Sequence, residues 1–155
     1  MQLFTADAYS ITGADSTFGS SNDNITFADG GADGGITLAD IADLTITTEI
    51  GGSGGGNIAV NVPIAGTAGD GDDATDVTMT AGSGTITVED ITTDINDVLL
   101  TSTGGISLDG NITTAVDSDE TGATSGVVTL TGPVTRAGNT TIDTDSTSNN
   151  GAVTF

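Results

Sequence analysis

The sequence predicts an all-β protein that is built as a parallel β-helix of about six rungs, each of roughly 20–30 residues. Three observations predict this fold. Short apolar runs recur along the chain, their aliphatic residues alternate with Thr at a period of two, and turn-forming Gly, Asp, Asn and Ser separate the runs. The 24 Gly and 30 Thr residues exceed ordinary usage, whereas the good helix formers Lys, Gln and Arg are almost absent.

Most of the predicted strands read aliphatic–Thr–aliphatic or a close variant. The strongest lie at residues 25–27, 36–38, 44–46, 58–60, 77–79, 86–88, 98–100, 106–108, 128–130 and 153–155, and weaker ones at 91–92, 112–113, 134–135 and 141–142. In the second half they group in threes, and each triplet is typical of one turn of a solenoid. Rungs that start at residues 25, 58, 77, 98, 128 and 153 have a mean spacing of about 26 residues.

Variation in rung length falls mostly after the third run of each group. The variable segments are 47–56, 65–76, 115–126 and 144–151, all rich in Gly, Asp, Ser or Asn. We expect them to be solvated turns that lie along one edge of the coil and carry much of its acidity. Residues 1–24 fit the triplet scheme poorly and are an uncertain first rung.

A parallel β-helix explains these patterns because rungs about 4.8 Å apart bury Val, Ile and Leu in a narrow interior while Thr faces outward. An antiparallel β-sandwich permits the same alternation and is the alternative fold, but it gives no reason for triplets. We expect residues 1–155 to form a single solenoid segment. Both ends are abrupt and lack a polar cap, which favours part of a longer repeat or a subunit that stacks end to end on copies of itself.

Charge and composition exclude several classes of function. The formal net charge is −21, from 22 acidic side chains and one basic side chain, Arg136. Nucleic acids and anionic membrane surfaces require clustered Lys and Arg, so neither is an expected partner. No apolar stretch approaches the roughly 18 residues of a membrane span, so no membrane insertion is expected. Without Cys or His, the chain has no disulfide, thiol nucleophile or imidazole acid–base group.

The last third of the chain, residues 105–155, contains VTLTGPVT at 128–135, AGNTTID at 137–143 and NNGAVTF at 149–155. This stretch resembles the β-strand repeats of filamentous-haemagglutinin-like adhesins and autotransporter passengers, which are large bacterial surface proteins; residues 57–104 resemble them loosely. The resemblance implies a right-handed β-helix at the cell surface or secreted, without catalytic residues, that acts in adhesion, matrix or filament formation. A host or surface receptor or a glycan would then bind at the longer turns, above all 65–76 and 115–126.

Acidic turns are the candidate metal sites. Calcium takes roughly six to eight oxygen ligands, and Asp at alternate positions of a Gly-containing turn supplies several of them. The candidate ligands are Asp70, Asp72, Asp73, Asp76, Asp117, Asp119 and Glu120. The turns match neither the EF-hand loop nor the calcium-binding nonapeptide, so solvated acidic turns are the competing interpretation. Divalent cations are also expected to relieve the self-repulsion of the folded rod, even without a single tight site.

Two alternative functions follow from particular residue types. T-x-T runs begin at Thr45, Thr78, Thr85 and Thr129, and a flat face with two ranks of Thr can order water, which makes ice binding one alternative. Outward Thr is also typical of any solvated parallel strand, and these runs do not recur once per rung in the predicted scheme. Carboxylate catalysis on polysaccharides is the other alternative, but the chain lacks the aromatic and basic residues that such clefts use.

The function that the sequence favours is therefore a non-catalytic structural β-solenoid of an extracellular filament, sheath or surface adhesin. N-x-T tripeptides at Asn24, Asn111 and Asn139 arise by chance in a Thr-rich chain and are given no role.

Overall fold

The protein forms a coil of parallel strands. The computed structural model describes residues 1–13, 15–31, 34–39, 42–52, 54–67, 75–92, 94–114, 126–144 and 150–155. These residues form 18 β-strands in three parallel six-stranded sheets, and no helix occurs among them. The predicted parallel β-helix is thereby confirmed. None of the described residues belongs to a helix long and apolar enough to cross a membrane.

Three consecutive strands make one rung, and the three strands of a rung belong to three different sheets. Sheet A contains β1 (Gln2–Ala6), β4 (Ile25–Asp29), β7 (Ile58–Asn61), β10 (Ile86–Val88), β13 (Ile106–Leu108) and β16 (Val134–Arg136). Sheet B contains β2 (Tyr9–Ile11), β5 (Ile36–Leu38), β8 (Ile64–Gly66), β11 (Ile91–Thr92), β14 (Ile112–Thr113) and β17 (Ile142–Asp143). Sheet C contains β3 (Ser16–Gly19), β6 (Leu44–Thr47), β9 (Val77–Gly82), β12 (Val98–Ser102), β15 (Val128–Thr131) and β18 (Val153–Thr154).

The interior is a set of aliphatic columns that run along the coil. In sheet A, Ile25 pairs with Ile58, which pairs with Ile86, which pairs with Ile106, and all four side chains are buried. Strand side chains alternate between faces, so a run of aliphatic–Thr–aliphatic sends both aliphatic residues inward and the Thr outward. Stacking equal residues in register buries each one against its neighbours above and below, which is why the short runs suffice to specify the fold.

The strand pairing corrects the predicted rung boundaries. Ile58 pairs with Ile86, not with Val77, because Val77 begins a strand of sheet C in the same rung as Ile58. The predicted starts therefore mixed the first strand of some rungs with the third strand of others. The strands β1, β2 and β3 form the first rung. The sequence pattern hid it because polar and aromatic side chains such as Gln2, Phe4 and Tyr9 take the interior positions there.

The prediction that all long turns share one edge is wrong. Segments 65–76, 115–126 and 144–151 each lead from sheet B to sheet C, whereas 47–56 leads from sheet C to sheet A. Strands of the three sheets begin with the same aliphatic–Thr pattern. The sequence therefore shows where a rung is interrupted, but it does not show which two sheets the interruption joins.

Candidate functional site

Side-chain oxygens at the corners of the coil form hydrogen-bond ladders of their own. The first ladder lies just before sheet A. The Oδ1 atom of Asn24 accepts the backbone N–H of Asn57 at 2.8 Å, and Oδ1 of Asn57 accepts the backbone N–H of Thr85 at 2.9 Å. Each of these residues immediately precedes a strand and occupies the same position in successive rungs. The side chains thus extend the backbone ladder of sheet A by one more hydrogen bond per rung.

An equivalent ladder lies before sheet B. Oδ1 of Asp90 accepts the backbone N–H of Asn111 at 2.6 Å, and Oδ1 of Asn111 accepts the backbone N–H of Thr141 at 2.9 Å. These residues precede β11, β14 and β17. Asn and Asp are interchangeable at these corners because both present an oxygen that accepts a backbone N–H.

The ladder before sheet C consists of carboxylates alone. Oδ1 of Asp43 accepts the N–H of Asp76 at 2.9 Å, Oδ1 of Asp76 accepts the N–H of Asp97 at 3.0 Å, and Oδ1 of Asp97 accepts the N–H of Val127 at 2.7 Å. Three like charges thus lie on successive rungs at one corner. Hydrogen bonds from backbone donors offset part of their mutual repulsion, since a hydrogen bond to a charged acceptor is stronger than one to a neutral acceptor.

Asp76 lies in the middle of this stack, and the pKa of its carboxyl is raised. Partial burial raises the pKa of its carboxyl above the ordinary value of 3.8, and the carboxylates of Asp43 and Asp97 raise it further. The hydrogen bonds that it accepts from the N–H of Asp97 and from Nδ2 of Asn96, at 3.2 Å, act in the opposite direction. Desolvation dominates, and the neutral form of Asp76 is favoured relative to an exposed carboxyl.

Of the predicted calcium ligands, only Asp76 can be located. Asp70, Asp72, Asp73, Asp117, Asp119 and Glu120 lie outside the described residues. Asp76 belongs to the corner ladder, where Oδ1 already accepts two hydrogen bonds. Within the described part of the chain, no group of three or more His, Cys, Asp or Glu is arranged to hold a metal ion. Calcium binding at the acidic turns therefore stays a prediction.

The corner ladders were not predicted from the sequence, although the residues that form them follow a pattern there. An Asn or Asp stands immediately before the aliphatic residue that opens the strand in Asn24-Ile25, Asn57-Ile58, Asp76-Val77, Asp90-Ile91 and Asn111-Ile112, among others. Two of these residues, Asn24 and Asn111, begin N-x-T tripeptides, for which the sequence alone predicts no role. Asx residues are so common in turns that the pattern acquires meaning only once the strand register aligns them.

The outer face of sheet C carries two ranks of Thr. In register along the sheet, the first rank is Thr17, Thr45, Thr78, Leu99, Thr129 and Thr154, and the second is Gly19, Thr47, Thr80, Thr101 and Thr131. Three of the four T-x-T runs therefore do recur at one position of the rung, contrary to the expectation from sequence. The fourth, at Thr85, flanks and enters sheet A. No outward strand position of this face holds a charged residue, although the chain carries −21.

Aromatic rings close the amino-terminal end of the interior. Phe4 stacks on Phe27 with ring centroids 4.9 Å apart and 14° between the planes, and Phe18 meets both rings edge to face. Tyr9 packs edge to face against Phe27 at 5.4 Å and donates its hydroxyl to the carbonyl oxygen of Ala28 at 3.0 Å. Nε2 of Gln2 donates to the carbonyl oxygen of Gly19 at 3.3 Å.

The carboxyl-terminal end is built differently. The interior columns end there on Val134 and Ile142, which are half-buried, and on Val153, which is 38% exposed. Phe155 follows with 78% of its surface exposed. The first rung thus carries Phe4, Tyr9 and Phe18, whereas the last rung leaves Val153 and Phe155 exposed.

No family model, curated protein or solved structure matches the chain. The three continuous sheets, the corner ladders and the Thr face of sheet C are the features from which a function is inferred.

Proposed function

We propose that this chain is a non-catalytic structural β-solenoid of an extracellular filament, sheath or surface adhesin. The observation that carries the proposal is the continuity of all three sheets through six rungs, each rung in register with the next. Such a coil has a continuous buried aliphatic interior, which suits a shaft. The resemblance of residues 105–155 to adhesin repeats supports the same role.

The mechanism of a shaft is mechanical. Hydrogen bonds between parallel rungs point along the axis of the coil, so a pull on its ends loads the ladders of the three sheets together. The Asx ladders add hydrogen bonds at the corners, where regular strand pairing stops. The acidic surface keeps such a shaft soluble and opposes side-by-side contact between copies.

Immunogold electron microscopy of the producing cells tests this role. Antibodies raised against the 155-residue chain are expected to label fibres, a sheath or the outer cell surface. Label confined to the cell interior would contradict the proposal. Incubation of the purified chain with polysaccharides, followed by an assay for released reducing ends, tests the non-catalytic part; any release above the level with heat-denatured protein argues against it.

Ice binding is the second candidate, and the Thr face of sheet C supports it. Ordered water can be held by hydroxyl and methyl groups that repeat in two dimensions. On this face β6, β9 and β15 each carry two outward Thr residues in register, while Leu99 interrupts the first rank on β12. The absence of charge from its outward strand positions fits the same role, because a charged side chain organises its own hydration shell.

Thermal hysteresis is the measurement for this candidate. The native chain is expected to lower the freezing point of a solution below its melting point, and the Thr78→Lys variant, altered in the middle of the face, is expected to lose most of the effect. Thr87→Lys, which makes the same change on the outer side of sheet A, is the matched control and should retain it. If a solution of the native chain freezes and melts at the same temperature, ice binding is ruled out.

A further inference from the structure

A groove crosses the outer face of sheet A at β10, β13 and β16. Its volume is about 240 Å³, and its lining includes Thr85, Thr87, Gly105, Ser107, Pro133 and Thr135. We propose that this groove is a binding site for one neutral saccharide ring. The site goes beyond the proposed structural role, which requires no ligand, and it lies on a strand face rather than at the long turns 65–76 and 115–126.

The groove exists because the middle one of its three rungs is recessed. The outward side chains of the three strands are, in register, Thr87, Ser107 and Thr135. The residues that immediately precede the strands are Thr85, Gly105 and Pro133. The middle rung therefore has Ser and Gly where the rungs on either side have larger side chains. The two outer strands lie roughly 10 Å apart, at two strand spacings, so a single ring fits between them.

A buried side chain holds the floor of the groove in place. Ser102 is 1% exposed, and its Oγ atom accepts the backbone N–H of Gly104 at 3.1 Å and that of Gly105 at 3.0 Å while it donates to the carbonyl oxygen of Gly84. Gly105 has φ of 122°, and a Cβ atom there would meet only the carbonyl oxygen of Pro133, at 3.6 Å. The space above the floor is thus open, and its shape is set before a ligand arrives, which lowers the entropic cost of binding.

The Asx ladder before sheet A ends where the groove begins. Asn57 supplies the last side-chain acceptor of this ladder, to the N–H of Thr85. The next two residues in the column are Gly105, which has no side chain to accept, and Pro133, which has no N–H to donate. The column therefore departs from the pattern that stabilises the earlier rungs, at the rungs where the groove opens.

The hydroxyl groups of the groove suit a ligand that carries hydroxyl groups itself. Oγ of Ser107 donates to Oδ1 of Asp109 at 2.8 Å, and Oγ1 of Thr135 donates to the carbonyl oxygen of Ile106 at 3.3 Å. A hydroxyl has one proton and two lone pairs, so both oxygens can still accept a hydrogen bond from a ligand, whereas Thr87 can donate or accept. A sugar hydroxyl also donates and accepts, so it can pair with each of these groups.

Charge and size narrow the ligand further. Among the described residues that line the groove none is charged, and the net charge of −21 repels anions. The ring of Pro133 offers an apolar wall to the C–H groups of a sugar, and ligand sites combine such apolar surface with a few polar groups. The volume lies below the roughly 300 Å³ at which ligand pockets usually begin, which limits the occupant to one ring.

Saturation-transfer NMR with the full chain tests the site, because it detects weak binding from the signals of the ligand. The probes are glucose, galactose, mannose and N-acetylglucosamine, each added alone, with N-acetylneuraminic acid as the anionic control. At least one neutral sugar is expected to receive saturation from the native chain, and the anionic sugar is expected to receive none. Failure of all four neutral sugars would overturn the proposal, as would equal transfer to the anionic sugar.

A filling variant locates the binding. Ser107→Leu places a larger side chain in the recessed rung and is expected to weaken binding of the responding sugar at least about tenfold, because Leu takes the space that the ring needs. Ala59→Leu is the matched control, since Ala59 is outward in the same column two rungs earlier and does not line the groove. Circular dichroism confirms that both variants are folded. Binding that is unchanged in Ser107→Leu, or equally weakened in both variants, would place the sugar elsewhere and overturn the assignment.

A second variant removes hydroxyl groups and keeps the shape of the groove. The double variant Thr87→Val/Thr135→Val is expected to bind the sugar several-fold more weakly, whereas Thr26→Val, outward on β4 of the same sheet, should bind as the native chain does. Unchanged affinity in the double variant would overturn recognition through hydroxyl groups. None of these outcomes depends on where the chain is located, so a failure of sugar binding leaves the structural role intact, and label confined to the cell interior leaves the sugar site intact.

Discussion

The Oδ1 atom of Asp76 lies 3.0 Å from the backbone nitrogen of Asp97, one rung further along the coil, and accepts its N–H. The bond joins two rungs through a side chain at a corner, where the strand ladder of sheet C has not yet begun. Asp76 is at the same time the middle one of three stacked carboxylates, so one residue both stabilises the corner and carries an unfavourable charge.

Replacing Asp76 by Asn should separate these two effects. The amide oxygen can still accept the N–H of Asp97, as Asn57 and Asn111 do at other corners, while the charge between Asp43 and Asp97 is removed. We expect Asp76→Asn to raise the free energy of unfolding at neutral pH by about 0.5 kcal/mol, the size of one partly screened charge interaction. Urea unfolding checks this value. Asp76→Ala, which loses the acceptor as well, should be less stable than both.

The gain from Asp76→Asn should depend on pH in a defined direction. Burial raises the pKa of Asp76 in the folded state above 3.8, so the folded chain holds the proton more tightly than the unfolded chain. That contribution to native stability is complete below pH 3.8 and is lost as the pH rises through the raised pKa. The advantage of the Asn variant should therefore be largest at neutral pH and should shrink on acidification. A difference that grows toward low pH would show that the folded pKa is not raised.

Asn57 lies at the centre of the ladder before sheet A, and its loss should weaken the coil. Asn57→Ala leaves the N–H of Thr85 without its side-chain acceptor, which is expected to cost about 1 kcal/mol of unfolding free energy. Asn61→Ala, an exposed position at the end of the same strand, is the control and should change stability by less than about 0.5 kcal/mol. Similar losses at both positions would contradict a specific role for the ladder.

Thr114 is buried, and its hydroxyl has no hydrogen-bond partner among the described residues. A buried hydroxyl without a partner destabilises the folded state, so Thr114→Val, which keeps the shape, should stabilise the protein by about 1 kcal/mol. The half-buried neighbour Thr113 faces outward, and Thr113→Val should have little effect. Loss of stability in Thr114→Val would mean that the hydroxyl is hydrogen-bonded in the folded protein.

Calcium is expected to raise the melting temperature relative to protein treated with a chelator. A site that is present at 100 times its dissociation constant would add about 2.7 kcal/mol, and a chain of this length gains roughly 2–4 °C per kcal/mol. Magnesium and NaCl at the same ionic strength control for simple screening. Repeating the measurement with Asp76→Asn tests the one candidate ligand that the structure locates. Equal melting temperatures with calcium and with chelator would show that calcium does not stabilise the folded chain.

The fold class could be predicted from sequence because each rung repeats the same local rule. Alternation such as Ile86-Thr87-Val88 sends two aliphatic side chains inward and one Thr outward, and the turn residues mark where the chain changes sheet. The rule fails where interior positions are not aliphatic. Gln2, Phe4 and Tyr9 hid the first rung for that reason, although Phe4 and Tyr9 pack in the same columns as the aliphatic residues that follow.

The sequence by itself determined that the chain is all-β, that its strands come in threes and that they stack in parallel with an aliphatic interior. Only the tertiary structure decided the register, and with it the Asx ladders, the two Thr ranks and the difference between the ends. Asp43, Asp76 and Asp97, for example, are 33 and 21 residues apart along the chain and become neighbours only through strand pairing. Rung length varies, so residues that meet in space share no fixed spacing in the sequence, and hydrogen bonding between rungs alone aligns them.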